Sequence, residues 1–291
     1  MSIPLDLSLP TLPGRPDDSH KGSFGSVLIV AGSRGMSGAA SLAGLGALRG
    51  GAGLVTVAVP AGIQGVVASV EPSYLTFALP EDADGRISRL AAGQILSRSQ
   101  DVTAVAIGPG WGKSADLVEL ARFLYTNVAG PLVVDADALN ALAESPGGFP
   151  QAPESAARIV TPHPGEFARL TKTDTKTVQR DRETLAAEFA REKRVIVVLK
   201  GHRTVITNGE KAAVNTTGNS GMATGGTGDV LTGLITALLA QGMAPFCAAQ
   251  LAAHLHGLAG DLAATELGKP GMIASDLPRY LGQAWRQTGG T

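Results

Sequence analysis

One cysteine, Cys247, stands among 291 residues, so no intrachain disulfide can form and the chain suits a reducing compartment. Charge of one sign is not in excess either. Lys and Arg total 24 against 25 for Asp and Glu, a net charge of −1, which argues against nucleic acid or an anionic membrane as partner. No apolar run is long enough to span a bilayer: 230–264 is interrupted by Gln241, Gly242, Pro245, His254 and His256, and reads as packed helices. The start, "MSIPLDLSLPTLPGRPDDSHKG", has no basic leader region and carries four prolines, unlike a signal peptide. A soluble, cytoplasmic protein is the expectation.

Several motifs are missing too. The glycines at 32–38 are spaced Gly-x-x-Gly-x-x-Gly, which is not the dinucleotide fingerprint, and there is no G-x-S-x-G elbow. In "GPGWGKS" only three residues separate Gly108 from Gly112, one short of a P-loop, so a tight turn ending at an N-cap Ser114 competes with a ligand-lining role. His254 and His256, two apart, cannot share a helix face as zinc ligands would, and no cysteine cluster offers a structural zinc site.

What is present is a rhythm. "SVLIVAG" (26–32), "LVTVAVP" (54–60), "VTAVAIG" (102–108), "PLVVDAD" (131–137), "ARIVTP" (157–162) and "RVIVVLKG" (194–201) read as buried strands. Helical stretches such as 37–50, 114–127 and 176–193 separate most of them, which predicts an α/β fold with a mostly parallel sheet covered on both faces. "TVITNGEKAAVN" (204–215) reads as a hairpin about Asn208-Gly209, followed only by helices at about 228–241, 245–266 and 275–286. With 44% hydrophobic residues, no repeat and no linker, residues 21–291 read as one domain behind an arm at 1–20.

Chemistry collects at the strand ends, where open α/β sheets bind ligands. "NSGMATGGTGDVLTG" (219–233) runs from glycines into an apolar helix, with Asp229 expected as its first residue. Glycines let backbone approach a ligand closely, and helix N-terminal N–H groups attract anions. Asp229 is thus either a helix cap or a base beside a bound phosphate. "VVDADALNAL" ends a strand on Asp135 and Asp137, for which helix capping is the ordinary reading. "TPHPGEFARL" suits helix initiation, with Pro164 at N1 and Glu166 in the first turn, while His163 is rigidly presented between prolines. Lys200, leaving a buried strand in "VLKGHRT", either snorkels into water or meets phosphate.

Together, "KGSFGSVLIVAGS", "SGAASLAGLGALRGGAGLVTVAVP", "VDADALNAL", "TPHPGE", "KGHRT", "NSGMATGGTGDVLTG" and "AHLHGLAGD" closely resemble the ADP- or ATP-dependent NAD(P)H-hydrate dehydratases. The resemblance runs from about Lys21 to Tyr280 and implies a ribokinase-like three-layer α/β/α fold. It places Ala39, Gly110, His163 and Asp229 at positions that hold the hydrated NADH or NADPH. Lys200, Gly201, His202, Arg203, Thr204 and Gly228 fall at positions that bind the adenine nucleotide. Met36, Trp111 and Ser220 stand where the family usually has other residues, and the epimerase domain fused in some members is not expected here. A homotetramer, functional pairing with a hydrate epimerase, and Mg²⁺ are further implications.

The chemistry fits a kinase-like site. Water added to the dihydronicotinamide ring leaves a hydroxyl at C6 beside N1, and hydroxide is a poor leaving group. Phosphoryl transfer to that hydroxyl makes a good one. The N–H groups of Gly225, Gly226, Thr227 and Gly228 offer an anion hole, Asp229 a proton acceptor, and Glu166 a hold on one water of the Mg²⁺ ion. A vitamin-precursor alcohol kinase of the same fold is the rival reading, disfavoured by His163 where such kinases carry Asn. An idle nucleotide sensor would be expected to lose Asp229 or its glycines, and a plain dehydrogenase would need the absent fingerprint.

Overall fold

The computed structural model describes residues 4–289 except 7, 13 and 155, so parts of the expected arm at 1–20 lie outside the described residues. Nine strands form one sheet, in the order β3-β2-β1-β4-β5-β6-β7-β8-β9. They are β1 (Ser26–Val30), β2 (Leu54–Pro60), β3 (Leu75–Leu79), β4 (Ala104–Ile107), β5 (Leu132–Val134), β6 (Arg158–Val160), β7 (Ile196–Leu199), β8 (Val205–Thr207) and β9 (Ala212–Val214). Strands β3 to β7 pair in parallel, and β7-β8-β9 are antiparallel. The order reverses between β1 and β4, which opens a crevice at their C-terminal ends.

The helices are α1 (Ser37–Arg49), α2 (Gln64–Ala68), α3 (Ala92–Ser99), α4 (Ala115–Asn127), α5 (Ala136–Ala143), α6 (Pro164–Thr171), α7 (Thr175–Arg180), α8 (Arg182–Lys193), α9 (Thr227–Ala240), α10 (Pro245–Leu267) and α11 (Leu277–Gln287). Alternate residues of β1 explain the layering. Val27 and Ile29 face a core shared with α1, α9, α10 and α11, whereas Leu28 and Val30 face one shared with α3, α4, α5, α6 and α8. Helix α9 is buried on every side from Val230 to Ala240, which its mostly apolar sequence requires. It lies so close to α1 that a methyl group at Gly233 would overlap the Ala43 carbonyl, and one at Gly46 the Val230 carbonyl.

Three local expectations are corrected. The stretch 176–193 is two helices, broken at Asp181, which has left the α region in ψ. Strand β3 was not anticipated: as an edge strand its first four residues are exposed or half-buried, and they lack the apolar run of an interior strand. Helix α9 begins at Thr227, so Asp229 is its third residue and not its first. At the opposite sheet edge the N-terminal segment runs beside β9, where Asp6 N–H donates to the Ala212 carbonyl at 2.7 Å and Lys211 pairs with Asp6 at 2.9 Å.

Candidate active site

Gly226, at φ +93°, occupies the N-cap of α9. Only glycine takes this conformation without strain, and having no side chain it cannot cap. The Thr227 and Gly228 N–H groups therefore have no intrahelical partner, whereas the Asp229 N–H already donates to the Gly226 carbonyl at 3.1 Å. Asp229 does not serve as the N-cap; Gly226 does, with no side-chain cap bond. His256 of α10 steadies this turn through a 2.9 Å bond between its Nε2 and the Thr227 carbonyl. Burial pushes the imidazole down to about 4, so it is neutral and Nε2–H is the donor.

Beneath the turn lies a buried charge cluster. Asp135, 1% exposed, occupies the N-cap position of α5 yet makes no cap bond. Its Oδ1 instead accepts from Lys200 Nζ at 2.6 Å and its Oδ2 from Thr232 Oγ1 at 2.7 Å. Lys200 therefore does not simply snorkel into water. Burial opposes its charge, but Asp135 and Glu166 outweigh that and hold the ammonium above its ordinary range. Glu166 Oε2 lies 3.9 Å from Lys200 Nζ and accepts from the His163 N–H at 2.7 Å. Burial pushes Glu166 up to about 7. Asp229 also rises to about 7, through burial first and then the negative charge of Asp135, with Lys200 pulling the other way.

His163 initiates α6 as the sequence suggests. Its Nδ1 accepts from the Gly165 and Glu166 N–H groups at 3.0 and 3.3 Å, closing a capping box with Glu166. Burial and the nearby Lys200 charge lower its pKa, so the ring is neutral and presents Nε2–H.

A cavity of about 740 Å³ opens above β7 and α9, within the size range of small-molecule sites. All six expected nucleotide positions, Lys200, Gly201, His202, Arg203, Thr204 and Gly228, line it together with His163 and Thr227. The "KGHRT" turn is held by Arg182, which donates to the Leu199 and Lys200 carbonyls at 2.8 and 3.2 Å, and by Thr204 Oγ1 donating to Gly201 at 3.0 Å.

Ala39 and Gly110 meet elsewhere, at the β1/β4 crevice, where a methyl on Gly110 would lie 2.8 Å from the Ala39 Cβ. Ser33 Oγ holds the Gly110 carbonyl at 2.8 Å, and fully buried Trp111 donates from Nε1 to Val30 at 2.9 Å. Ser114 caps α4, as the tight-turn reading of this loop requires. Neither Ala39 nor Gly110 lines the large cavity, and nor do Gly225, Gly226 and Asp229. Asp229 instead feels charges from both sides: Asp135 and Lys200 below the cavity, and Asp137, whose Oδ2 accepts from Gly112 at 2.8 Å in the crevice loop. Sequence reading missed the roles of Asp135, Thr232 and His256. Only Thr232, a polar residue one turn after Asp229 in an apolar helix, carried a signal.

A Gly-rich helix N-terminus beside a strand-end cavity, with a half-buried carboxylate behind it, is a candidate site for a phosphate-bearing ligand on a ribokinase-like fold. The chain belongs to the NAD(P)H-hydrate dehydratase family, whose model matches residues 27–283. It is 47% identical over 271 residues to a bifunctional NAD(P)H-hydrate repair enzyme of Moorella thermoacetica, covering 93% of this chain and 51% of that protein. The chain thus spans about half the length of that relative. It is 33% identical to an ADP-dependent (S)-NAD(P)H-hydrate dehydratase of Bacillus subtilis, covering 95% of each. The crystal structure of the ADP/ATP-dependent dehydratase from B. subtilis, co-crystallised with ATP and Mg²⁺, superposes with a TM-score of 0.81 at 32% identity, covering 95% of this chain and 94% of that one.

Proposed function

We propose that this chain returns the S-epimer of hydrated NADH or NADPH to the intact cofactor, using the terminal phosphoryl group of ADP or ATP. The observation that carries this is Asp229 in the first turn of α9, directly after the cavity-lining Gly228, with Asp137, which holds the crevice loop, among the charges acting on it and its pKa raised to about 7. In this reading the nucleotide occupies the 740 Å³ cavity with its phosphates at Thr227 and Gly228, and the hydrated ring enters from the crevice side. Asp229 takes the C6 hydroxyl proton while the hydroxyl oxygen attacks the terminal phosphorus, and AMP or ADP departs. The N1 lone pair then expels phosphate with the C6 oxygen, and loss of a C5 proton restores the C5–C6 double bond. A base with a pKa near the working pH suits the first step, worth on the order of 10²–10⁴-fold. Backbone N–H groups contribute through charge on the moving phosphoryl group.

Mg²⁺ would supply further neutralisation of that charge. Among the described residues no group of three His, Cys, Asp or Glu is placed to hold a metal. Oxygens of Glu166 lie near His163 and Lys200. The chain therefore fits an ion carried by phosphate oxygens and water, with Glu166 reaching it only through a water. Residues 21–291 acting as one domain, a cytoplasmic homotetramer and pairing with an epimerase complete the proposal. The family match over 27–283 supports the single domain, and the bifunctional naming of the M. thermoacetica relative supports the epimerase pairing. No helix among the described residues is long and apolar enough to cross a membrane.

An isotope experiment tests the mechanism. Hydrate carrying ¹⁸O at C6 should deliver the label to released phosphate. Label recovered in water would contradict phosphorylation of the hydroxyl.

A further inference from the structure

We propose that Asp135 is a positioning residue for this reaction: it fixes Lys200 beneath Gly228 and ties it to α9 through Thr232, so that Asp229 works against a lysine charge held at a set place. The inference rests on the dehydratase reading above and adds a residue to it.

Four observations on Asp135 converge. It stands at an N-cap position but leaves the cap unmade, although Asp is among the best capping residues. The next residue, Ala136, is held at φ +51°, a left-handed conformation that is unfavourable for a non-glycine residue. Such strain persists only where the surroundings impose it, and it gathers at functional sites. Both Asp135 oxygens are taken by donors from two other elements, Lys200 at the end of β7 and Thr232 one turn along from Asp229. Finally, a methyl at Gly228 would lie 3.2 Å from Lys200 Nζ and 3.9 Å from Asp135 Oδ2, so the pair sits directly under the anion-binding turn.

The alternative placement explains why this matters. Without Asp135, Lys200 would be drawn to the remaining carboxylates, Glu166 and Asp229. It would then neutralise the base instead of standing beside it. The charged groups acting on Asp229 are Asp135 from the β5–α5 turn, Asp137 from α5, Glu166 from α6 and Lys200 from β7. His256 of α10 reaches the backbone of the same turn as a neutral ring. Helix α1, on the far side of α9, brings no titratable group to that end.

Asp135→Asn can keep the geometry, since the amide oxygen can accept from Lys200 and the amide nitrogen can donate to Thr232 Oγ1. Only the charge goes. The pH profile of kcat/KM should show its acid limb moved to lower pH by about half a unit or more, and kcat reduced about three- to tenfold. Nucleotide KM should stay within about twofold, because the lysine remains near the phosphates. Thr232→Val removes a hydrogen bond but keeps the carboxylate, so its melting temperature should fall while the acid limb stays in place. Lys200→Met should move the limb the other way, to higher pH, which keeps the inference testable if Asp135→Asn fails to fold. An unmoved acid limb in Asp135→Asn or Lys200→Met, with only a lowered melting temperature, would make Asp135 a structural residue and overturn the proposal. If the parent protein itself shows no hydrate dehydration, the functional reading fails first, and the two failures are told apart.

Discussion

Asp137 accepts the Gly112 N–H at 2.8 Å, so an acid from the turn after β5 holds the loop that follows β4. The acid two residues earlier, Asp135, pairs instead with Lys200. One short strained turn thus grips the crevice loop with one carboxylate and the cavity-lining Lys200 with the other. Asp137→Ala should loosen the Gly110 loop and raise KM for the hydrated cofactor about tenfold, equivalent to ~1.4 kcal/mol. Nucleotide KM should change less than twofold. Steady-state kinetics with each substrate varied in turn checks the split.

Asp229→Asn removes the proton acceptor and should lower turnover by roughly 10² or more. Its effect on stability has a definite pH dependence. The native carboxylate is raised from 3.8 to about 7, so the folded state holds its proton more tightly than the unfolded chain. Stability from this group is complete below about pH 4 and is lost as pH rises through 7. The Asn variant has no such loss. Its stability should equal the parent's near pH 4 and exceed it increasingly up to about pH 7, by on the order of 4 kcal/mol. Thermal melts across that range, run beside a repair assay, test both halves. Retained turnover would return Asp229 to a passive helix-end role.

Lys200→Ala leaves Asp135 buried without its cation, and breaking a buried pair costs about 3 kcal/mol or more. Nucleotide affinity should fall at least tenfold while affinity for the hydrated cofactor is largely kept. Calorimetric titration of each ligand, at a temperature well below the variant's melting point, would show this. Equal nucleotide affinity in parent and variant would remove Lys200 from the nucleotide site.

Gly233→Ala forces a methyl into the Ala43 carbonyl of α1. Ala39 stands in the first turn of α1 and Asp229 in the first turn of α9, so α1 and α9 cannot separate without moving these two candidate site residues apart. A loss of at least ~3 kcal/mol in denaturant unfolding is expected. Gly225→Ala meets nothing within 4 Å and serves as the tolerated control for folding.

The sequence disclosed these helices better than their contacts. Interior strands were legible because burial on both faces demands continuous Val, Ile and Leu, as in "VLIV" and "IVVL". Edge strand β3 was not, since one side meets solvent and its pattern weakens. The Gly-rich loop and Asp229 stood out because glycine clusters have few other uses. Asp135 did not, because an acid before a helix is ordinarily a cap, and only the fold brings Lys200, 65 positions away, to its side. Asp137 was obscured for the same reason, its partner being a backbone N–H 25 residues earlier.

The most direct test mixes the purified protein with separated epimers of hydrated NADH, Mg²⁺, and either ADP or ATP, and follows both reduced-nicotinamide absorbance and inorganic phosphate. Absorbance should return with the S-epimer alone, one phosphate appearing for each NADH restored, and Asp229→Asn should lose at least 99% of that rate. A stable phosphorylated product with no absorbance gain, or equal rates on the two epimers, would contradict the account.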